Sequence, residues 1–240
     1  GQDNWPVSRH MLSHCRPKPP MPSSPLRLLL FFLALAFLIG FVQIGLISIA
    51  FDKLGLSPES AYLLLLCTLA GSLINLPLFS LKADSAVQPR IPPELAGWPL
   101  FKLLPYTGKI MVAVNVGGAV VPVTFSVYLI SHNPLNPLQI ATAVAVVAIL
   151  ARTTSLPIPG IGIGIPMLIA PIAAALIATI LDPQQRAPLA YISGTLGVLI
   201  GADLLRLKDI RKLGAPIASI GGAGTFDGVF LTGLLAVLLA

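Results

Sequence analysis

Two aspartates in an otherwise apolar C-terminal third are the residues of this chain best suited to chemistry. Asp203 lies in LIGADLLRL and Asp227 in GGAGTFDGVF. A carboxylate at bilayer depth costs about 2.5–3.5 kcal/mol on insertion scales, so such a residue marks a functional site by default. Two carboxylates sharing one cavity cannot both ionise comfortably, and one keeps its proton. One can then activate water while the other protonates a carbonyl oxygen, the chemistry of an aspartic hydrolase. The same pair beside unwound backbone would serve a proton- or sodium-coupled carrier or channel. A third reading is a non-catalytic membrane scaffold, with Asp203 paired to Arg206 or Lys208 among lipid headgroups.

Other polar groups fall inside apolar runs and could line a cavity around the aspartates. They are Asn115 in NVGGAVVP, Ser193 and Thr195 in YISGTLG, Asn75 before Pro77, and Gly222, Gly224 and Thr225 ahead of Asp227. Each could equally be a hydrogen bond between packed helices, worth about 0.6 kcal/mol or somewhat more. The three histidines, His10, His14 and His132, have no metal-ligand spacing. No phosphate loop, nucleophile elbow or dinucleotide fingerprint is present, so nothing calls for a metal or a cofactor.

These residues must be positioned by helices in a membrane. The 240-residue chain is 55% hydrophobic and 10% charged, with a mean hydropathy of +0.89; soluble domains carry about 25% charged residues. The net charge of +6 suits anionic headgroups rather than nucleic acid, because basic residues gather at the ends of membrane helices. Cys15 and Cys67 lie too far apart in character, one in the tail and one in an apolar run, to form a disulfide framework.

Residues 1–25 read as a disordered cytoplasmic tail, rich in Pro and Ser. His10, His14 and Cys15 cluster there, and Met11 or Met21 would serve as an alternative start. Residues 26–240 read as one transmembrane helical domain of about seven spans. The expected spans are 26–51, 59–81, 110–131, 138–151, 167–181, 188–205 and 215–240, against the ~20 residues a crossing needs. Ser57 before Pro58 is the pattern of a helix start. The stretch 82–108 carries Trp98, Phe101 and Tyr106 and reads as interfacial. Two segments, LPIPGIGIGIP (156–166) and GAPIASIGGAGTFDG (214–228), hold too much Pro and Gly for continuous helix. Both read as broken or re-entrant, and they share a loose pattern, PIPGIGIG against PIASIGGAG.

With the N-terminus inside, alternate loops hold thirteen Lys and Arg inside and two, Lys53 and Arg186, outside. That asymmetry predicts a cytoplasmic N-terminus and an external C-terminus. The expected partners are the lipid bilayer and a membrane-embedded peptide or small solute.

The run 187–233, together with NVGGAVVP (115–122) and PIPGIGIG (157–164), resembles a prokaryotic membrane family, the domain-of-unknown-function family numbered sixteen-fourteen. That resemblance covers most of the chain from residue 26 and implies a multi-pass protein of a prokaryotic inner membrane. It implies no activity. The placing of Asp203 and Asp227 on consecutive helices is similar to intramembrane aspartic proteases of the presenilin and signal-peptide-peptidase type. Their second aspartate follows Gly-x-Gly directly, whereas Gly222-Ala-Gly-Thr-Phe-Asp227 interposes two residues. No Tyr-Asp pair stands at Asp203.

Overall fold

In the computed structural model the described residues are 40, 45–82, 109–158, 162–212, 217–222 and 228–240. The chain divides into two compact units, Gly1–Gln43 and Ile44–Ala240. The tail and most of the first expected span belong to the former and lie outside the described residues.

The larger unit is mostly helical, with a small sheet. Helix α1 (Gly45–Lys53) and helix α2 (Pro58–Ser72) meet at 113°. Ser57 caps α2 by accepting a hydrogen bond from the Ser60 N–H, with Pro58 opening the first turn. Gly55 takes a φ of +73° in the turn between them. Strand β1 (Asn75–Lys82) follows, then β2 (Lys109–Asn115), which continues through a π-helical turn, Val116–Val120, into α3 (Val121–His132). Helix α4 (Pro137–Thr154) is N-capped by Asn136, whose side chain accepts from the Leu138 N–H. A short antiparallel hairpin, β3 (Leu156–Ile158) with β4 (Gly162–Gly164), leads to α5 (Ile169–Leu181). Helix α6 (Arg186–Val198) runs on through a π-helical turn, Leu199–Asp203, and 3₁₀ turns to Lys212. Strand β5 (Ile217–Ile220) and helix α7 (Gly228–Leu239) end the fold.

Helices α4, α5, α6 and α7 pack through small side chains. Val147, Ala151, Ala174, Ala178, Ala190 and Ala236 are fully buried between them. A Cβ on Gly197 would come within 2.6 Å of Val147 Cβ. A second core gathers Phe51, Phe125, Tyr191 and Phe230, with Tyr191 edge-on to Phe125 at 5.0 Å between ring centroids. The outer faces carry exposed Leu63, Leu66, Ile149, Leu176 and Ile180.

Among the described residues two helices, Pro137–Thr154 and Arg186–Arg206, are long and apolar enough to cross a membrane. The bent pair α1 and α2 makes a third if it is one span, and three further apolar helices are shorter. The spans expected at 138–151, 167–181 and 188–205 fall on helices α4, α5 and α6, of which α5, with 13 residues, is one of the shorter ones.

The spans expected at 59–81 and 110–131 need correction, since each is part helix and part strand. Pro77 cannot donate to a helix, which ends α2 early. In KIMVAVN, Ile110, Val112 and Val114 recur with period two, and Ile110 and Val112 are fully buried. That is the strand period. The sheet has the order β1-β2-β5. Strands β1 and β2 are antiparallel, from Asn75 opposite Asn115 to Lys82 opposite Lys109. Strands β2 and β5 are parallel, from Met111 beside Ile217 to Val114 beside Ile220.

Candidate functional site

Three elements end or change type at one place. Helix α2 gives way to β1 at residues 73–75, β2 to its π-helical turn at 115–116, and β5 to a glycine turn at 221–222. Backbone groups at such breaks lose their helical partners and must find others. Asn115 supplies them. Its Nδ2 donates to the Ser72 carbonyl at 2.7 Å and to Asn75 Oδ1 at 3.2 Å. Its Oδ1 accepts from the Gly118 N–H at 2.7 Å, and the residue is 1% exposed. Ser219 of β5 donates its hydroxyl to the same Asn75 oxygen at 2.6 Å. One amide pair thus ties all three breaks together.

The carboxylate joins from the opposite side. Asp203 ends the π-helical turn of α6, a geometry frequent at functional sites. Its Oδ2 accepts a hydrogen bond from the Gly221 N–H at 2.7 Å. Gly221 and Gly222 have φ of +79° and +86°, a region that L side chains avoid. The turn is also packed from below, because a Cβ on Gly118 would collide with the Gly221 carbonyl oxygen. Asp203, Gly221, Gly118 and Asn115 form one continuous set of contacts. Asp203 itself is half-buried.

Arg206, one expected partner of Asp203, turns elsewhere. Its Nε donates to Ser155 Oγ at 2.6 Å and Nη1 to Asp209 Oδ2 at 3.0 Å. Nη2 donates to the Arg152 carbonyl at 2.8 Å and to that of Ser155. The guanidinium therefore caps the C-terminal end of α4, while Lys208 is exposed.

Among the other sequence candidates, Gly222 lies at the turn itself. Ser193 and Thr195 are fully buried in α6, and Ser193 Oγ donates to the Ala190 carbonyl of its own helix at 3.3 Å. Ten residues of helix place Ser193 about 15 Å along the axis from Asp203. Gly224, Thr225 and Asp227 lie outside the described residues, and so does any distance from Asp203 to Asp227. Ser219, Gly118 and Gly221 are not among the site residues expected from sequence; a serine directly ahead of Ile-Gly-Gly is the available signal for the first. Among the described residues no three of His, Cys, Asp and Glu gather as a metal set. A cavity of about 480 Å³ opens at the α1–α2 bend, lined by Phe51, Asp52, Leu56 and Tyr62 among others, and so offers one carboxylate rather than two.

Residues 69–239 match the family of proteins of unknown function DUF1614. The chain belongs to that family. The match spans helices α3 to α7, the sheet and every residue of the Asn115–Asp203 contact set. No curated protein and no solved structure matches the chain.

Proposed function

We propose that this DUF1614 protein is a multi-pass membrane carrier or channel coupled to protons or sodium, with Asp203 as its ion-binding carboxylate. The observation that carries the reading is the 2.7 Å hydrogen bond from the Gly221 N–H to Asp203. Irregular backbone at membrane depth survives only where protein or a wet cavity covers it, and ion-coupled carriers place carboxylates beside such breaks. Helix α2 has 15 residues and extends about 22 Å, short of the ~30 Å of hydrocarbon. With its start at Ser57 taken as the membrane surface, its end at Ser72 and the site beside it would lie within the membrane. Counted over the seven crossings expected from sequence, the asymmetry of Lys and Arg supports a cytoplasmic N-terminus and an external C-terminus in a prokaryotic inner membrane.

Reconstituted vesicles test this directly. Proton or sodium flux that is present in the parent protein and lost in Asp203→Asn supports the carrier. Peptide cleavage without flux, abolished by both Asp203→Asn and Asp227→Asn, would instead establish an intramembrane aspartic hydrolase with those two residues as its dyad. Neither activity, with membrane integration intact, leaves the scaffold.

A further inference from the structure

The segment after Asp203 divides its side chains between two destinations. Arg206 and Ile210 point inward. Arg206 is 8% exposed and fully engaged with Ser155, the Arg152 carbonyl and Asp209, while Ile210 packs on Ile110. Arg152 also reaches Asp209, at 3.6 Å. One carboxylate thus offsets two guanidiniums, and both serve the fold. The outward set is different in kind. Leu204 and Leu205 are 40% and 54% exposed, and Lys208 and Arg211 are exposed beyond them. The 3₁₀ turns hold these residues close to the end of the Arg186–Arg206 helix, which is long enough to cross a membrane.

We propose that Leu204, Leu205, Lys208 and Arg211 form a docking surface for an anionic phospholipid. The leucines lie against the acyl chains, and the two cations bind the headgroup phosphate. An apolar edge next to a basic edge at the end of a membrane helix matches the layering of a lipid leaflet. Free phosphate would explain the cations and leave the leucines in water, so the lipid is the better occupant. The inference rests on the membrane reading above.

The test uses the full chain in detergent, titrated with phosphatidylglycerol or phosphatidylcholine, with bound lipid counted by native mass spectrometry. Each basic residue near an anionic surface contributes about a factor of five. The double variant K208Q/R211Q should therefore bind phosphatidylglycerol about thirtyfold more weakly, with no change toward phosphatidylcholine. Arg186→Gln, at the other end of α6, should leave both affinities alone. Equal loss in Arg186→Gln would show general charge attraction and overturn the site, as would unchanged binding in K208Q/R211Q. Displacement by inorganic phosphate alone would overturn the lipid assignment. Extraction of the protein from cell membranes without detergent would refute the membrane reading itself, a result separable from indifference to lipid type.

Discussion

The Asp203 carboxylate and the Gly221 N–H meet at 2.7 Å across eighteen residues of chain, joining the π-helical end of α6 to the turn that leaves β5. Hydrogen bonds to charged groups contribute about 1.5–3 kcal/mol, against about 1 kcal/mol for neutral ones. Asp203→Ala removes the acceptor and should destabilise the protein by about 2 kcal/mol on that scale. Asp203→Asn keeps an oxygen facing Gly221 and should lose less. Thermal unfolding in detergent checks the order of the two variants. If both unfold like the parent, the bond does not hold the turn. The carrier reading adds that both variants lose flux, although only one loses the contact.

Gly118 and Gly221 cross with no room for a side chain. A Cβ at Gly118 would overlap the Gly221 carbonyl oxygen, a backbone atom that cannot rotate away. Overpacking a tight site costs about 1–3 kcal/mol, and this contact with rigid backbone belongs at the upper end. Gly118→Ala should therefore lower the unfolding midpoint markedly. Gly45→Ala, where nothing lies within 4 Å, should not. Comparable midpoints for the two variants would contradict the close crossing.

The helical body was legible because its signals are local. Ser57 ahead of Pro58 announces a helix that the structure caps with that same side chain. The sheet was not legible. Residues 110–114 are apolar throughout, and a short apolar run reads equally as buried helix or strand. What decides between them is pairing with Asn75–Lys82 and Ile217–Ile220, and that information is distant in sequence. The loose likeness of PIPGIGIG to PIASIGGAG has no counterpart in the fold. The first forms an antiparallel hairpin and the second contributes a strand to the larger sheet. The structural echo joins β2 to β5, parallel strands that each run into a glycine pair, Gly117–Gly118 and Gly221–Gly222. Asp203 and Asn115 were found through the expense of burying polar groups in apolar surroundings, whereas Ser219 sits half-buried on a short strand and carried no such mark.

Asn115 offers a prediction in which the sign depends on which atom is changed. Its Nδ2 faces two acceptors, the Ser72 carbonyl and Asn75 Oδ1, while its Oδ1 faces one donor, the Gly118 N–H. Asn115→Ala leaves those groups without their partner, at about 1–3 kcal/mol for a buried unsatisfied group. Asn115→Asp keeps the oxygen toward Gly118 but sets a second oxygen against two acceptors. It should be the worse variant near neutral pH and recover as the pH falls, because a protonated carboxyl can donate. Unfolding midpoints of both variants across a pH series test this. An aspartate variant more stable than the alanine variant at neutral pH would rule out the assigned amide orientation.

Arg206 shows why a cation at this position cannot be exchanged for another. Its three guanidinium nitrogens reach Ser155, the Arg152 carbonyl and Asp209 together, from a residue only 8% exposed. A lysine ammonium is a single point with three donors and cannot span a fork of that width. Arg206→Lys preserves charge and should still loosen the end of α4. Breaking a buried, hydrogen-bonded ion pair costs about 3–5 kcal/mol, and the retained charge should bring the loss below that range. Hydrogen exchange at the last-turn amides of α4, near Thr153–Ser155, should rise in Arg206→Lys while those near Thr142 stay protected. Uniform protection along α4 in the variant would mean that the guanidinium fork does not hold the helix end. Arg206→Met removes the charge as well, leaving Asp209 with Arg152 alone, and should exchange faster still.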